Sequence, residues 1–302
     1  MESSEVIKVH EKSLAACVVK SSEVAIAHEV ALAKSGGFDP LVKRVEMGSE
    51  SMKEEAASAL RSLATNSTHS KSIAKAGGIE PLVALLRYGN ESQKERATGA
   101  LWNLALYSED NRLAIAKWGA IEPLVSLLKS GNEALKTEAI STLWHLALHA
   151  ENKLTIAKAG AIEPLIETSK SGSRVQKEQA ASALWSLSVH PDNCVAIALM
   201  GGIEAMIALI KSGTDLQKEQ AAGTLRNLAT HADNKLLISR AGGVEVLIPI
   251  AKAGNEVQKE RAIGALKSLV KDNPDNEQKV TKAGVILDPA AAAAAPPPPK
   301  KK

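Results

Sequence analysis

NRLAIAKWGAIEPLVSLLKSGNEALKTEAISTLWHLAL, residues 111–148, reads as three helices punctuated by glycine. NRLAIAKW is a short helix, and Gly119 ends it because glycine enters the left-handed backbone of a helix terminus at little steric cost. AIEPLVSLLKS is a second helix. Pro123 lies in its first turn, where the missing N–H would have no intrahelical partner, and Glu122 suits the positive end of the helix dipole. The Gly131-Asn132 step then breaks the chain and opens a third, longer helix.

This stretch is one period of several. Gly36, Gly77, Gly119, Gly160, Gly201, Gly242 and Gly284 are spaced by 41, 42, 41, 41, 41 and 42 residues. The first-turn proline recurs as Pro40, Pro81 and Pro164, with Ala205 and Val246 in later units, and the break recurs as Gly89-Asn90, Gly172-Ser173 and Gly254-Asn255. A fixed period of this length marks units that cannot bury their own apolar faces and stack on copies of themselves. In the third helix, Ala97, Ala100, Leu101, Leu104 and Ala105 follow the i, i+3, i+4, i+7, i+8 spacing of one apolar face. The face recurs as Ala180, Ala183, Leu184, Leu187 and as Ala262, Ala265, Leu266, Leu269. Only seven of the 302 residues are aromatic, so the interior is built from Ala, Leu, Ile and Val.

The quoted stretch and its copies resemble armadillo repeats, with a short first helix (H1), a second (H2) and a long third (H3). The arrays of plant U-box ubiquitin ligases and of the yeast vacuole-inheritance scaffold are the nearest in flavour, and importin-α and β-catenin are more distant. The resemblance implies an all-α, right-handed superhelical solenoid of three-helix units, with the array over residues 36–284. Residues 1–35 read as a degenerate N-terminal capping repeat, with KSLAACVV in the H3 place and SEVAIAHEVALAK in the H1 place. Residues 285–302 form an Ala/Pro/Lys tail of low complexity, expected to be disordered.

Lys300, Lys301 and Lys302 account for the whole formal charge of +3, so the body is charge-balanced and gives no case for nucleic-acid binding. Cys17 and Cys194 form no CxxC pair and read as reduced thiols of a cytoplasmic protein, with the nucleus also open to it. The N-terminus has no secretory pattern, Glu2 excludes myristoylation, and no run approaches the roughly 20 apolar residues of a membrane span. No P-loop, GxSxG, HExxH or paired Cys/His site is present, so neither catalysis nor a cofactor is expected.

Function is sought instead in columns compared across units. On a wheel of about 100° per residue, Trp102 lies about 130° from the centre of the apolar face. Its column reads Arg61, Trp102, Trp144, Trp185, Arg226 and Lys267, and a column that accepts Arg and Lys is not core. The next column reads Ser62, Asn103, His145, Ser186, Asn227 and Ser268, all hydrogen-bonding, and is also placed outside the core. Trp118 belongs to a wholly apolar column with Ala76, Ala159, Met200, Ala241 and Ala283 and is expected in the core. His149, His190 and His231 sit at the H3-to-H1 corner, too far apart to share a metal, and the QKE steps from Gln93, Gln176 and Gln217 read as solvated H3 starts.

Armadillo H3 helices line a concave groove, and the asparagine of the second column clamps the backbone of an extended peptide. The resemblance therefore implies a peptide groove of Arg61, Trp102, Asn103, Trp144, His145, Trp185, Ser186, Arg226, Asn227 and Lys267. Acidic or phosphorylated groups of the ligand would meet Arg61, Arg226 and Lys267. The importin-type tryptophan column holds Ser58, Gly99, Ser141, Ser182, Gly223 and Gly264 instead, so nuclear-localisation-signal pockets are missing. The expected protein is a monomeric scaffold or adaptor for an extended or disordered segment of a partner protein. A ubiquitin-ligase substrate module would need a U-box, and a nuclear import adaptor a basic N-terminal segment; neither is read here.

Overall fold

The computed structural model describes residues 24, 26–34 and 36–288. KSLAACVV, Cys17 and residues 289–302 of the tail lie outside the described residues. Those described are helical with short connections, no strand occurs among them, and they fall into two compact units within residues 1–152 and 153–302. In the first unit a helical run over 26–34 precedes α1 (Asp39–Met47), α2 (Glu50–Leu63), α3 (Ser67–Lys75), α4 (Ile79–Tyr88), α5 (Glu91–Tyr107), α6 (Glu109–Lys117), α7 (Ile121–Ser130) and α8 (Glu133–Leu146). The boundary falls inside α9 (Ala150–Lys158). The second unit holds α10 (Ile162–Ser171), α11 (Arg174–Leu187), α12 (Pro191–Leu199), α13 (Gly202–Ser212), α14 (Asp215–Leu228), α15 (Ala232–Arg240), α16 (Gly243–Ala253), α17 (Glu256–Val270) and α18 (Pro274–Lys282). H1 is α3, α6, α9, α12, α15 and α18, and H3 is α2, α5, α8, α11, α14 and α17.

Each boundary has a local cause. The seven periodic glycines all take left-handed φ, from 70° at Gly284 to 105° at Gly36. A returning hydrogen bond follows α3, α6, α9 and α18: Gly78 N–H to Ile73 O at 2.9 Å, and Ala120 N–H to Ile115 O, Ala161 N–H to Ile156 O and Val285 N–H to Val280 O at 3.3 Å. That bond satisfies a carbonyl the helix leaves open and, after α3, α6 and α9, turns the chain into H2. H3 begins at an N-cap side chain, Ser49, Asn90, Asn132, Ser173, Thr214 or Asn255, which accepts a first-turn N–H.

The glutamine that opens each QKE step is not solvated as its polarity suggested. Gln93, Gln176 and Gln217 are 1–3% exposed, and each closes a capping box with its N-cap residue. Gln93 also donates to Glu50 O at 3.2 Å and Gln217 to Arg174 O at 3.1 Å, tying each H3 start to the preceding one. A second ladder runs along H1. Asn111, Asn152 and Asn193 are buried and donate to Leu104, Leu146 and Leu187 O at 3.0 Å, and Asn152 also reaches Arg112 O at 3.1 Å.

H3 packs on H3 within each unit through Leu60, Leu101 and Leu143 in the first and Leu184, Leu225 and Leu266 in the second, all without exposed surface. Each such leucine contributes about 1.5–3 kcal/mol of burial. Trp118, expected in the core, is 48% exposed, and Met200 of the same column is 51% exposed. The column stands at the H1 C-cap, where alanine tolerates partial burial and larger side chains project outward. Cys194 is buried; its thiol donates to Ser188 O at 2.9 Å, and burial pushes its pKa up to about 11.

Candidate functional site

The Trp102 column lies outside the core, as its arginines and lysine required. Trp102, Trp144 and Trp185 are half-buried, Arg61 is partly exposed, and Arg226 and Lys267 are exposed. In each unit these side chains lie across the neighbouring H3, and a small residue makes the room. A methyl on Gly99 would overlap the Arg61 guanidinium, one on Gly223 would stand 2.8 Å from Trp185 Nε1, and one on Gly264 would stand 2.7 Å from Arg226 Nε. The column that lacks importin-type tryptophans is therefore the bed on which the next column lies.

In the first unit Arg61 crosses α5 over Gly99 and pairs with Glu138 of α8, Nη2 to Oε1 2.6 Å. Burial pushes the Glu138 carboxyl above the ordinary carboxylate range, against the opposing pull of Arg61. Glu138 Oε2 and Trp102 Nε1 are sealed from solvent without hydrogen-bond partners. The His145 ring lies 6.4 Å from that of Trp102 and 4.5 Å from that of Trp144. Its Nδ1 is 2.7 Å from Ser141 O. Burial holds its pKa below the usual imidazole range; the Ser141 bond works the other way, and the Arg112 charge adds to the lowering.

In the second unit the Trp185 ring carries an internal cation. The Arg261 guanidinium sits 4.1 Å from its centroid and is anchored by Glu219 at 3.0 Å. Arg226 pairs with Glu260 at 3.3 Å. Arg61 and Arg226, expected to await acidic ligand groups, thus already hold carboxylates of the chain, while Lys267 is exposed.

The second column is more buried than its polarity suggested. Asn103, His145 and Ser186 are 7%, 8% and 6% exposed. Asn103 donates through Nδ2 to Arg61 O at 2.7 Å, and half-buried Asn227 donates to Ser188 Oγ at 2.9 Å. Their amides stitch the first unit's α5 to α2 and brace the second unit's α14. Glu138, Glu219 and Arg261 escaped the sequence reading. The trace of Glu138 and Arg261 is the uneven column Glu55, Arg96, Glu138, Gln179, Gln220 and Arg261, whose charge changes from unit to unit; Glu219 stands in the column before it, Glu54, Glu95, Thr137, Glu178, Glu219 and Glu260, which is acidic but for one threonine.

The corner histidines are half-buried beside the H1 starts. His190 is the N-cap of α12 and accepts from Asp192 N–H at 3.3 Å, and His149 accepts from Glu151 N–H at the same distance. Among the described residues no group of three or more His, Cys, Asp or Glu is placed to hold a metal ion, and no single helix is long and apolar enough to cross a membrane.

The family profile described as Armadillo/beta-catenin-like repeat matches residues 67–106, 108–148 and 149–189. No curated protein matches the chain. Among solved structures, an engineered protein of the Northeast Structural Genomics Consortium is 30% identical, with 77% of this chain and 96% of that one covered at a TM-score of 0.72. A designed armadillo repeat protein is 21% identical, over 76% of this chain and 99% of that one, with a TM-score of 0.72. Another, solved in complex with peptide (KR)4, is 21% identical over 77% and 99% with a TM-score of 0.70. The repeated three-helix unit, its left-handed glycines and these matches together show that the chain belongs to the armadillo repeat family.

Proposed function

We propose that this chain is a non-catalytic scaffold of the cytoplasm or nucleus whose H3 faces bind an extended segment of a partner protein. The carrying observation is the tryptophan column: three large rings held half-exposed on H3, off the packed leucine face, each in a chain with only seven aromatics. Tryptophan is a favoured interface anchor because it buries a large rigid area at small entropic cost. Neighbouring H3 helices lie about 8–10 Å apart, and an extended chain advances about 3.3–3.6 Å per residue, so Trp102 and Trp144 address ligand residues about three apart. The complex of a designed armadillo protein with peptide (KR)4 supports the fold's capacity for such ligands.

The test selects a peptide from a randomised display library on the full chain and measures its affinity for the Trp102→Ala/Trp144→Ala variant. A loss of about tenfold or more, with helicity and thermal midpoint nearly unchanged, is expected. Unchanged affinity in a folded variant overturns the reading. Collapse of the variant would show that the rings fill the seam between H3 helices.

A further inference from the structure

One H2 helix departs from the other five in its last turn. Two places before the glycine that follows each H2, the chain carries Glu46, Arg87, Lys129, Lys170, Lys211 and Lys252. Arg87 of α4 donates through Nη2 to Gly119 O at 2.8 Å, and Lys252 of α16 donates through Nζ to Ala283 O at 2.9 Å. Both acceptors lie at the C-terminal turn of the next H1, where carbonyls lack intrahelical partners and positive charge is favoured. Glu46 stands in the Arg87 place, beside the corresponding turn after α3, and an ionised carboxylate can only accept.

Proline raises the demand for a donor at that turn. Ala205 N–H donates to Gly201 O and Val246 N–H to Gly242 O, both at 3.3 Å, so these glycine carbonyls are used within the main chain. Pro123 has no N–H to offer Gly119 O, which takes the Arg87 guanidinium instead. Pro81 denies Gly77 O the same donor, and that carbonyl has no hydrogen-bond partner among the described residues. A methyl on Gly119 would stand 2.7 Å from Arg87 Nη2, whereas one on Gly77 would meet nothing within 4 Å. Gly77 and exposed Tyr88 line a cavity of about 590 Å³ between α1 and α4, where the carboxylates Glu46, Glu50 and Glu80 outnumber the single ammonium of Lys53. Glu50 already accepts from Gln93 Nε2 at 2.7 Å, while Glu46 and Glu80 are unpaired among the described residues.

We infer that this cavity binds an arginine side chain of a partner protein, whose guanidinium takes beside Gly77 the place that Arg87 holds beside Gly119. It donates to Gly77 O, pairs with Glu46 and Glu80, and lies against the Tyr88 ring. A guanidinium suits the site better than an ammonium because its planar fork serves a carbonyl and a carboxylate together and its face stacks on an aromatic ring. The site lies between H2 helices, apart from the H3 tryptophans, and is independent of what that face binds.

The test titrates the full nitrogen-15-labelled chain with acetyl-Gly-Arg-Gly-amide and follows its amide resonances. A matched peptide with citrulline, which keeps the shape of arginine without its charge, is the control. The arginine peptide is expected to give saturable shifts centred on Glu46, Gly77 and Gly78, with none at Gly119, where Arg87 already fills the place. The citrulline peptide should bind roughly tenfold or more weakly, and Glu46→Gln should weaken the arginine peptide by roughly three- to tenfold. Glu46→Arg, which gives α1 the residue that α4 carries, should abolish the shifts at Gly77 while leaving helicity unchanged. The assignment is overturned by any of three results: no saturable shift at Gly77, equal binding of the citrulline peptide, or arginine shifts spread over the acidic surface without preference for this cavity. Undiminished binding to folded Glu46→Arg or Glu46→Gln overturns it as well.

Discussion

Two buried titratable groups on the first unit's H3 face have opposite pH signatures. His145 has its folded pKa below its ordinary 6.5, so the native state resists taking up that proton. Its contribution is complete above 6.5 and is lost as pH falls below that value. Glu138 has its folded pKa raised above 4.5 by burial, so protonating it relieves a native-state cost as pH falls toward 4.5. Denaturant midpoints followed from pH 7.5 downward should therefore fall first near 6.5 in the wild type. His145→Phe should flatten that limb alone, and Glu138→Gln should alter only the lower one. An unchanged upper limb in His145→Phe would refute this account of the imidazole. The sequence disclosed that residue 145 was polar and off the leucine face. It did not disclose burial: the ring is 8% exposed, and Trp102, one of the two indoles beside it, stands on the preceding H3 helix, out of reach of any local pattern.

At the scale of the element, the same residue type does two jobs, and substitution separates them. Gly77 ends α3 at φ +80°, and a methyl there would meet nothing within 4 Å. Gly77→Ala should cost about 1–2 kcal/mol through the left-handed backbone alone, read as a lower midpoint in chemical denaturation with peptide affinity intact. Gly99 lies inside α5 with an ordinary helical backbone, where alanine is favoured by about 1 kcal/mol. Its methyl would collide with the Arg61 guanidinium and break the pair to Glu138, so Gly99→Ala should show little net gain in stability while moving Arg61. A gain of the full alanine preference would show that Arg61 accommodates the methyl without cost. The terminating glycines were legible because they keep a fixed period and flank apolar runs. The bed glycines were not, because their partner stands on another helix about 40 positions away and no local pattern encodes it. Gln93 was misread for a related reason: a polar residue at a helix start looks solvated until the preceding helix offers Glu50 O to its amide.

Across the whole molecule, a core of Ala, Leu, Ile and Val has a consequence for where large rings go. H3 helices that meet through Ala97, Ala100 and Leu101 leave no space for an indole, so none of the four tryptophans is fully buried; Trp118 is 48% exposed and the other three are half-buried. Exposure of the H3 rings was readable because Arg and Lys share their column, whereas Trp118 shares its column with alanines, which carry no such information. Indole fluorescence should accordingly report the surface rather than the core. In the native chain acrylamide should quench a large share of the emission, and Trp118→Phe should remove the most quenchable part without changing helicity. Saturation with a selected peptide should then protect Trp102 and Trp144 while leaving Trp118 as quenchable as before, because Trp118 lies at the end of H1, away from the H3 face. Protection of Trp118 in the Trp102→Phe/Trp144→Phe background would put the ligand on the H1 side and defeat the assignment of the H3 face.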